Sequence, residues 1–183
     1  MIAGPSGVGK GTIVRHLLER LPRLRVSVSA TTRPPRPSEQ DGVDYVFLSD
    51  DAFSDLARTG GLLEWAEVFG HRYGTPVRQV QDALSTGEDV VLEIDVQGAH
   101  QVRERMPSAV LILLEPPSMA ELERRLRSRG TEDEERLAER LATAAWELEQ
   151  RAWFDHVVVN DDIEQATAQV AAILQGLPET TDD

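Results

Sequence analysis

The stretch Gly4-Pro-Ser-Gly-Val-Gly-Lys-Gly-Thr12 follows the short apolar run Met1-Ile2-Ala3 and precedes an amphipathic segment. It matches the pattern G-x-x-x-x-G-K, in which backbone N–H groups curl around phosphate oxygens and the lysine reaches the β- and γ-phosphates of a nucleotide. The helix expected next points its positive end at the same place. We therefore predict a loop that binds the phosphates of a nucleotide through Gly4, Pro5, Ser6, Gly7, Val8, Gly9, Lys10, Gly11 and Thr12.

Two features of this loop depart from the standard pattern. Gly11 occupies the position where Ser or Thr would bind Mg²⁺, and Thr12 follows it. We therefore expect Mg²⁺ to be held mainly through water and phosphate oxygens, and we assign it no direct protein ligand. The strand expected before the loop has only three residues here, which favours a chain that starts late in a core strand.

The composition narrows the class of protein and its location. The formal net charge is −13, which argues against nucleic-acid binding through a broad basic surface. Of the 19 basic residues, Lys10 is the only lysine, and arginine cannot replace a compact ammonium group in a tight backbone ring. The chain has no cysteine and no run of about 20 apolar residues, and the stretch Met1-Ile2-Ala3 lacks the charged and apolar regions typical of a signal peptide. We expect a cytoplasmic protein without a membrane segment.

Short β-branched runs alternate with amphipathic stretches, and this order predicts an α/β fold with a mainly parallel sheet flanked by helices. Strands are predicted at Leu24–Ser29, Val90–Ile94, Ala109–Leu114 and His156–Asn160. Helices are predicted at Gly11–Leu21, from Pro76 to near Gly87, and at Val96–Met106, Ser118–Arg127, Glu132–Gln150 and Ile163–Leu174. Capping boxes at Ser118–Glu121 and Thr131–Glu134 support two of these helix starts.

Residues 30–75 break this alternation. The proline-rich segment Arg33-Pro-Pro-Arg-Pro37 excludes a helix or a central strand. Strands are predicted around Tyr45–Leu48 and Leu62–Phe69, with a short helix between them. We interpret the region as a small, partly antiparallel lobe inserted into the main fold.

Several motifs, taken together, resemble the guanylate kinases, which are nucleoside monophosphate kinases with the P-loop NTPase fold. They occur in the family's order and spacing from residue 4 to about residue 161. Besides the loop they are Ser29-Ala-Thr-Thr-Arg-Pro-Pro-Arg36, Gly42-Val-Asp-Tyr45, Leu63-Glu-Trp-Ala-Glu67, Tyr73-Gly-Thr75, Glu93-Ile-Asp-Val-Gln-Gly98, Arg129-Gly-Thr-Glu132 and Val159-Asn-Asp161. The resemblance implies transfer of the γ-phosphoryl group of ATP to GMP in purine nucleotide metabolism, with Mg²⁺ as cofactor and ATP and GMP as partners.

The resemblance also implies a GMP site, and the residue chemistry agrees with it. Arg33 and Arg36 can fork onto phosphate oxygens, and Tyr45 and Tyr73 can add hydroxyl donors. The Glu64 carboxylate can accept from N1–H and the N2 amino group of guanine, a pair of donors that adenine lacks. The family pattern adds Ser29 and Thr75 as contacts to the base and Asp95, which would order GMP or a metal-bound water. The role of Glu93 stays open, because family members often carry Asp at its position.

The family pattern also assigns the remaining catalytic residues and the organisation of the chain. Arg125, Arg129 and Arg140 would neutralise the triphosphate in the transition state beside Lys10, whereas Arg124, Arg127 and Arg136 fit a solvated surface. Asn160 would contact adenine. We predict a single domain with a core at about 1–29, 76–126 and 144–176, a GMP-binding lobe at about 30–75, a lid at about 127–143 and a tail at about 177–183.

Two alternatives remain beside this interpretation, and a third, a GTPase switch, is excluded by composition. Another nucleoside monophosphate kinase, such as an adenylate kinase, is disfavoured by Glu64 and by the Ser29–Arg36 segment. A GTPase switch would use an Asn-Lys-x-Asp motif, and the chain has no second lysine. A catalytically silent guanylate-kinase-like binding module would lack the phosphate loop that is retained here, although the short amino terminus keeps this alternative open. Whether the protein is a monomer or a homodimer is not decided by the sequence.

Overall fold

The computed structural model describes residues 1–128 and 134–176. Its strands are β1 (Ile2–Ala3), β2 (Leu24–Val26), β3 (Ala30–Thr31), β4 (Val46–Phe47), β5 (Leu62–Val68), β6 (His71–Pro76), β7 (Asp89–Val91), β8 (Ile112–Glu115) and β9 (His156–Val159). Its helices are α1 (Lys10–Arg20), α2 (Asp50–Arg58), α3 (Val77–Ser85), α4 (Val96–Arg105), α5 (Met119–Ser128), α6 (Glu134–Glu149) and α7 (Ile163–Gln175), with a 3₁₀ turn at Gln150–Trp153. The predicted α/β class is confirmed.

The chain divides into two compact units. One consists of Arg23–Ala109 together with Met1, and the other consists of Ile2–Pro22 and the chain from Val110 onwards. The division into core, lobe and lid stays a prediction, and the tail at 177–183 lies outside the described residues.

The unit that contains the glycine loop is built on the parallel sheet β1-β8-β9. The side chains of Ile2 and Ile112–Leu114 in this sheet are fully buried, as are Ile13 and Leu17 of α1. A second apolar cluster joins Leu122 and Leu126 of α5 to α6. Burial of these runs explains why they are continuously apolar, as is typical of parallel strands covered on both faces.

The Arg23–Ala109 unit contains a parallel pair and a mixed sheet. β2 pairs with β7, and the order of the mixed sheet is β4-β3-β6-β5, with β3 parallel to β4 and antiparallel to β6. The fully buried Phe53 of α2 packs against Ala30 and Leu62 of this sheet. The predicted mixture of parallel and antiparallel pairing in residues 30–75 is therefore confirmed.

The helix starts follow from side-chain caps. Ser118 Oγ accepts from Glu121 N–H at 3.1 Å, as predicted, and Asp162 Oδ1 accepts from Gln165 N–H at 2.9 Å at the start of α7. The predicted cap at Thr131 lies outside the described residues. Pro76 precedes α3 as its N-cap and is not in the first turn.

Several strand predictions differ from the structure, among them Val90–Ile94, which ends at Val91, and Ala109–Leu114, which begins at Ile112. The strand predicted at Leu24–Ser29 ends at Val26, because the Gln79 side chain takes both backbone groups of Val28. The short strand Ala30–Thr31 and the strand His71–Pro76 were not predicted.

None of the helices within residues 1–128 and 134–176 combines the length and apolar character needed to cross a bilayer.

Candidate active site

The glycine loop lies between β1 and the start of α1, and two of its glycines are required by the backbone. Gly4 has a φ of 141°, and a Cβ there would overlap the carbonyl oxygen of Leu114. Gly9, the N-cap of α1, has a φ of 102°, and a Cβ there would lie 2.6 Å from Nδ2 of Asn160. The loop therefore follows a path that only glycine permits. Within the part of the chain that the structure describes, no side chain caps the first N–H groups of α1.

The Lys10 side chain folds back over this loop. Its Nζ donates to the Gly4 carbonyl at 2.6 Å and lies 3.4 Å from the Pro5 carbonyl. The only lysine of the chain thus stands at the loop, where its ammonium group can interact with phosphate oxygens.

Asn160, at the end of β9, supports the loop. It is 3% exposed, and its Nδ2 donates to the Val8 carbonyl at 2.7 Å. A buried amide that bonds the loop backbone fixes the loop's path. The predicted contact of Asn160 with adenine stays a prediction.

Two of the predicted arginines contact the glycine loop or Asn160. Arg140 Nη1 donates to Ser6 Oγ at 3.2 Å, and Arg125 Nη2 donates to the Asn160 carbonyl at 3.0 Å. Arg125 also donates to Glu121 at 2.8 Å. The third predicted arginine, Arg129, lies outside the described residues.

The arginines expected on a solvated surface include two that form exposed ion pairs. Arg124 pairs with Glu121, and Arg127 pairs with Glu123 and Glu134. These pairs are solvent-exposed, so water and salt screen them and they contribute little to stability.

In the Arg23–Ala109 unit, Arg33 is gathered with the two tyrosines predicted for the GMP phosphate. Its Cζ lies 5.3 Å from the centroid of the Tyr45 ring, and the Tyr45 and Tyr73 centroids are 6.0 Å apart. Burial, and then the negative charge of Glu93, raise the pKa of Tyr45. Glu93, whose role the sequence left open, is therefore an electrostatic neighbour of this cluster.

Glu39 is the residue of this cluster that the sequence interpretation missed. Its carboxylate accepts from Arg33 Nη1 at 3.0 Å and Nη2 at 2.8 Å, and also from the Arg36 backbone N–H at 2.7 Å. The Arg33 and Glu39 side chains are 13% and 12% exposed, whereas the Arg36 side chain is 69% exposed. The hydrogen bonds from Arg33 hold the pKa of Glu39 below its ordinary value. An acidic residue six positions after Arg33 was the available sequence signal.

Glu64 presents a buried carboxylate on β5. It is 4% exposed, and its Oε1 accepts from the Thr75 hydroxyl on β6 at 2.6 Å. Burial raises the pKa of Glu64 to about 7, and the Thr75 hydrogen bond opposes that rise. Because burial destabilises the ionised form of this carboxyl group, a ligand that donates hydrogen bonds to it binds favourably.

Asp95 and Ser29 have backbone contacts in this unit. Asp95 caps α4, where its Oδ1 accepts from Gly98 N–H at 2.7 Å, and its charge contributes to the raised pKa of Glu64. Ser29 immediately precedes β3, and its carbonyl accepts from Val46 N–H at 2.9 Å.

Among the described residues, no three His, Cys, Asp or Glu side chains form a group that could hold a metal ion.

Comparison with known proteins agrees with this arrangement. The family described as guanylate kinase matches residues 1–177. The chain belongs to the guanylate kinase family. It is 55% identical to a guanylate kinase of Thermus thermophilus over 174 residues, which are 95% of this chain and 79% of that protein. It is 52% identical to a guanylate kinase of Streptomyces kasugaensis over 95% of this chain and 85% of that protein.

Solved structures give the same result. The crystal structure of guanylate kinase from Anaplasma phagocytophilum matches with a TM-score of 0.80 and 35% identity, over 99% of this chain and 86% of that chain. The predicted guanylate kinase resemblance, kinase function and P-loop NTPase-type α/β fold are thus confirmed. The individual site residues stay predictions.

The Arg33–Glu39 pair yields a prediction for this member of the guanylate kinase family. We expect Glu39→Ala to lower the free energy of unfolding by about 1–3 kcal/mol at pH 7, because it leaves a mostly buried guanidinium without its carboxylate partner. Since the pKa of folded Glu39 lies below the ordinary 4.5, its contribution is present above that pH and disappears as the pH falls through the folded pKa. Urea denaturation at several pH values measures both effects.

The control for this prediction is Asp55→Ala, which breaks the pair with Arg58 in which both side chains are 73% exposed. We expect that change to cost at most about 1 kcal/mol. Equal losses in the two variants would contradict a structural role for Glu39.

Proposed function

We propose that the chain is a guanylate kinase that transfers the γ-phosphoryl group of ATP to GMP, giving ADP and GDP in purine nucleotide metabolism. The observation that carries the choice of acceptor is the buried Glu64 carboxylate, held on one side by Thr75. Its unit also contains the Arg33 cluster. This unit therefore offers acceptors for a base and donors for a phosphate.

Guanine supplies the hydrogen atoms that Glu64 needs. A carboxylate accepts from N1–H and the N2 amino group together, and each charge-assisted hydrogen bond contributes about 1.5–3 kcal/mol. Adenine has an unprotonated N1 and no N2 amino group, so it would leave the buried carboxylate without these donors. Sites of this type reject the wrong ligand by about 10⁴–10⁵-fold. Ser29 and Thr75 complete the base contacts in this proposal.

The GMP phosphate is bound by Arg33, Arg36, Tyr45 and Tyr73 in this proposal. Nη1 and Nη2 of Arg33 each donate to the Glu39 carboxylate, and a guanidinium has five N–H donors, so the remaining ones can donate to phosphate oxygens. Arg36 is mostly exposed, so it can turn toward a ligand without losing a buried contact. Glu39 holds Arg33 in place by its bidentate pair.

ATP is bound by the glycine loop, by Lys10 and by the lid arginines in this proposal. The loop N–H groups and the Lys10 ammonium bind the phosphates. Asn160 fixes the loop backbone through its hydrogen bond to the Val8 carbonyl, and it also contacts adenine. Arg125 and Arg140, together with Arg129, neutralise the charge that develops on the transferred group.

No general base is needed for this transfer. The acceptor is a phosphate oxygen that is already anionic, so positioning and charge neutralisation carry the catalysis. Gly11 has no side-chain oxygen, but the half-buried Thr12 hydroxyl in the first turn of α1 offers the kind of ligand that Mg²⁺ prefers. Mg²⁺ bound with ATP would neutralise negative charge on the phosphates. We propose that phosphate oxygens and water provide most of its ligands, with Asp95 acting through water.

The choice of acceptor is tested by ADP release from Mg·ATP with GMP, AMP, CMP or UMP. We expect turnover with GMP alone. We also expect Glu64→Gln to lower kcat/KM for GMP by about 100-fold or more, because the amide replaces one acceptor oxygen with a donor. The matched control is Glu67→Gln, an exposed glutamate on the same strand, which should retain wild-type kinetics.

Two results would contradict the proposal. A folded wild-type chain that uses none of the four acceptors would exclude the enzyme function. Equal kinetics for Glu64→Gln and Glu67→Gln would exclude Glu64 as the guanine reader.

The pH dependence of GMP binding gives a second prediction. Glu64 accepts two hydrogen bonds only when it is ionised, and its pKa in the free protein is about 7. The dissociation constant for GMP should therefore rise as the pH falls below about 7, approaching tenfold per pH unit. Isothermal titration calorimetry in buffers of different ionisation enthalpy also measures the proton released on binding.

Glu64→Gln separates this effect from the titration of the nucleotide. The phosphate of GMP changes charge near pH 6, and that contribution is common to both proteins. A pH profile that is the same in wild type and in Glu64→Gln would show that Glu64 does not titrate on binding.

A further inference from the structure

The strand that carries Glu64 is irregular just before that residue. In the pairing of β5 with β6, Leu62 lies opposite Pro76 and Glu64 lies opposite Thr75, so Leu63 is an extra residue in β5. A β-bulge of this kind bends the strand and changes the direction of neighbouring side chains. The direction of the Glu64 carboxylate therefore depends on the contacts that hold the bulge in shape.

Arg105, the last residue of α4, binds both carbonyl groups of the bulge. Its Nη1 donates to the Leu62 carbonyl at 2.8 Å and to the Leu63 carbonyl at 2.6 Å. One guanidinium nitrogen carries two N–H groups, and hydrogen bonds from a charged donor are stronger than neutral ones. Arg105 thus supplies donors at the point where the ladder with β6 is interrupted.

Gln101 holds the residue on the other side of Glu64. Its Oε1 accepts from Trp65 N–H at 3.2 Å, and its Nε2 donates to the Trp65 carbonyl at 2.7 Å. The side-chain amide makes the two backbone hydrogen bonds that a neighbouring strand would make with Trp65, and it thereby fixes the backbone of that residue. The contacts from Arg105 and Gln101 therefore lie immediately before and after Glu64.

A third residue of α4 lies against the carboxylate itself. A Cβ at Gly98 would lie 2.5 Å from Oε2 of Glu64, so a glycine is needed to leave room for that oxygen. Gly98, Gln101 and Arg105 are separated by three and four positions, which places them on one face of the helix. This face contacts β5 before, at and after Glu64.

We propose that this face of α4 sets the specificity for guanine, with Arg105 and Gln101 as positioning residues that act through Glu64 and do not touch the nucleotide. The inference rests on the proposed function, since it assumes that Glu64 reads guanine. Two hydrogen bonds to adjacent donors on one base edge require both carboxylate oxygens to be in place. A displacement of about 1 Å can cost up to about 100-fold in rate.

Arg105→Met tests the proposal, because methionine keeps an unbranched side chain and removes the donors. Arg103→Met is the matched control, since Arg103 lies on the same helix and donates to the Pro107 carbonyl. We expect Arg105→Met to lower kcat/KM for GMP by about tenfold, through a higher KM for GMP with the KM for ATP unchanged. Arg103→Met should retain wild-type values.

A double-mutant cycle separates positioning from general damage to the fold. In a Glu64→Gln background, Arg105→Met should change kcat/KM for GMP by less than about twofold, because no carboxylate remains to be positioned. Gln101→Met should behave in the same way, and it tests the second contact independently if Arg105→Met does not fold.

The outcomes distinguish this inference from the proposed function. If the wild type prefers GMP but Arg105→Met matches Arg103→Met, or if Gln101→Met has wild-type kinetics, the inference is wrong and the proposed function stands. An undiminished effect of Arg105→Met in the Glu64→Gln background also overturns the inference. A wild type that does not phosphorylate GMP overturns both.

Discussion

A carboxylate that is removed from water is unstable unless hydrogen-bond donors replace the water, and in our proposal this constraint determines how the Arg23–Ala109 unit recognises guanine. Glu64 accepts from Thr75, yet burial still holds its pKa at about 7. The donors from Thr75 therefore replace only part of the lost water in the free protein. In our proposal guanine supplies the missing donors. The site therefore selects the base whose hydrogen bonds best stabilise the buried Glu64 carboxylate. The same constraint explains why the surrounding backbone is fixed by α4, since an unsatisfied charge would otherwise move toward solvent.

The groups that we propose to bind phosphates follow a related principle, because the protein itself holds these charged groups in position. Arg33 is fixed by a bidentate pair with Glu39, and Lys10 is held by carbonyl groups of its own loop. The loop in turn is supported by the buried amide of Asn160. A charged group that is already oriented needs little reorganisation when a phosphate arrives, which is how electrostatic preorganisation lowers a barrier. Specificity in this account comes from a buried carboxylate that lacks part of its hydrogen-bond donors, whereas the proposed phosphate sites use charges that are already held in place.

Much of the fold could be predicted from the sequence, because local residue patterns indicate most of its elements. The glycine loop, the helix after it and the buried β-branched strands have short-range signals, and the structure contains them. β3 was missed because two residues are too few to show an alternation, and β6 was missed because Gly74 interrupts its pattern. Within the candidate site, the motif residues were found through their resemblance to the family. Gln101 and Arg105 were not found, because their contacts join distant segments and no local pattern records this. Glu39 was not found either, because its pair with Arg33 depends on how the intervening turn folds.

A crystal structure of the protein with GMP bound tests the central claim most directly. The account predicts that both oxygens of the Glu64 carboxylate lie within about 3 Å of guanine N1 and N2, with the Thr75 hydroxyl still donating to the carboxylate. A guanine whose N1 and N2 donate to solvent or to another residue, with the Glu64 carboxylate more than about 4 Å away, would contradict it.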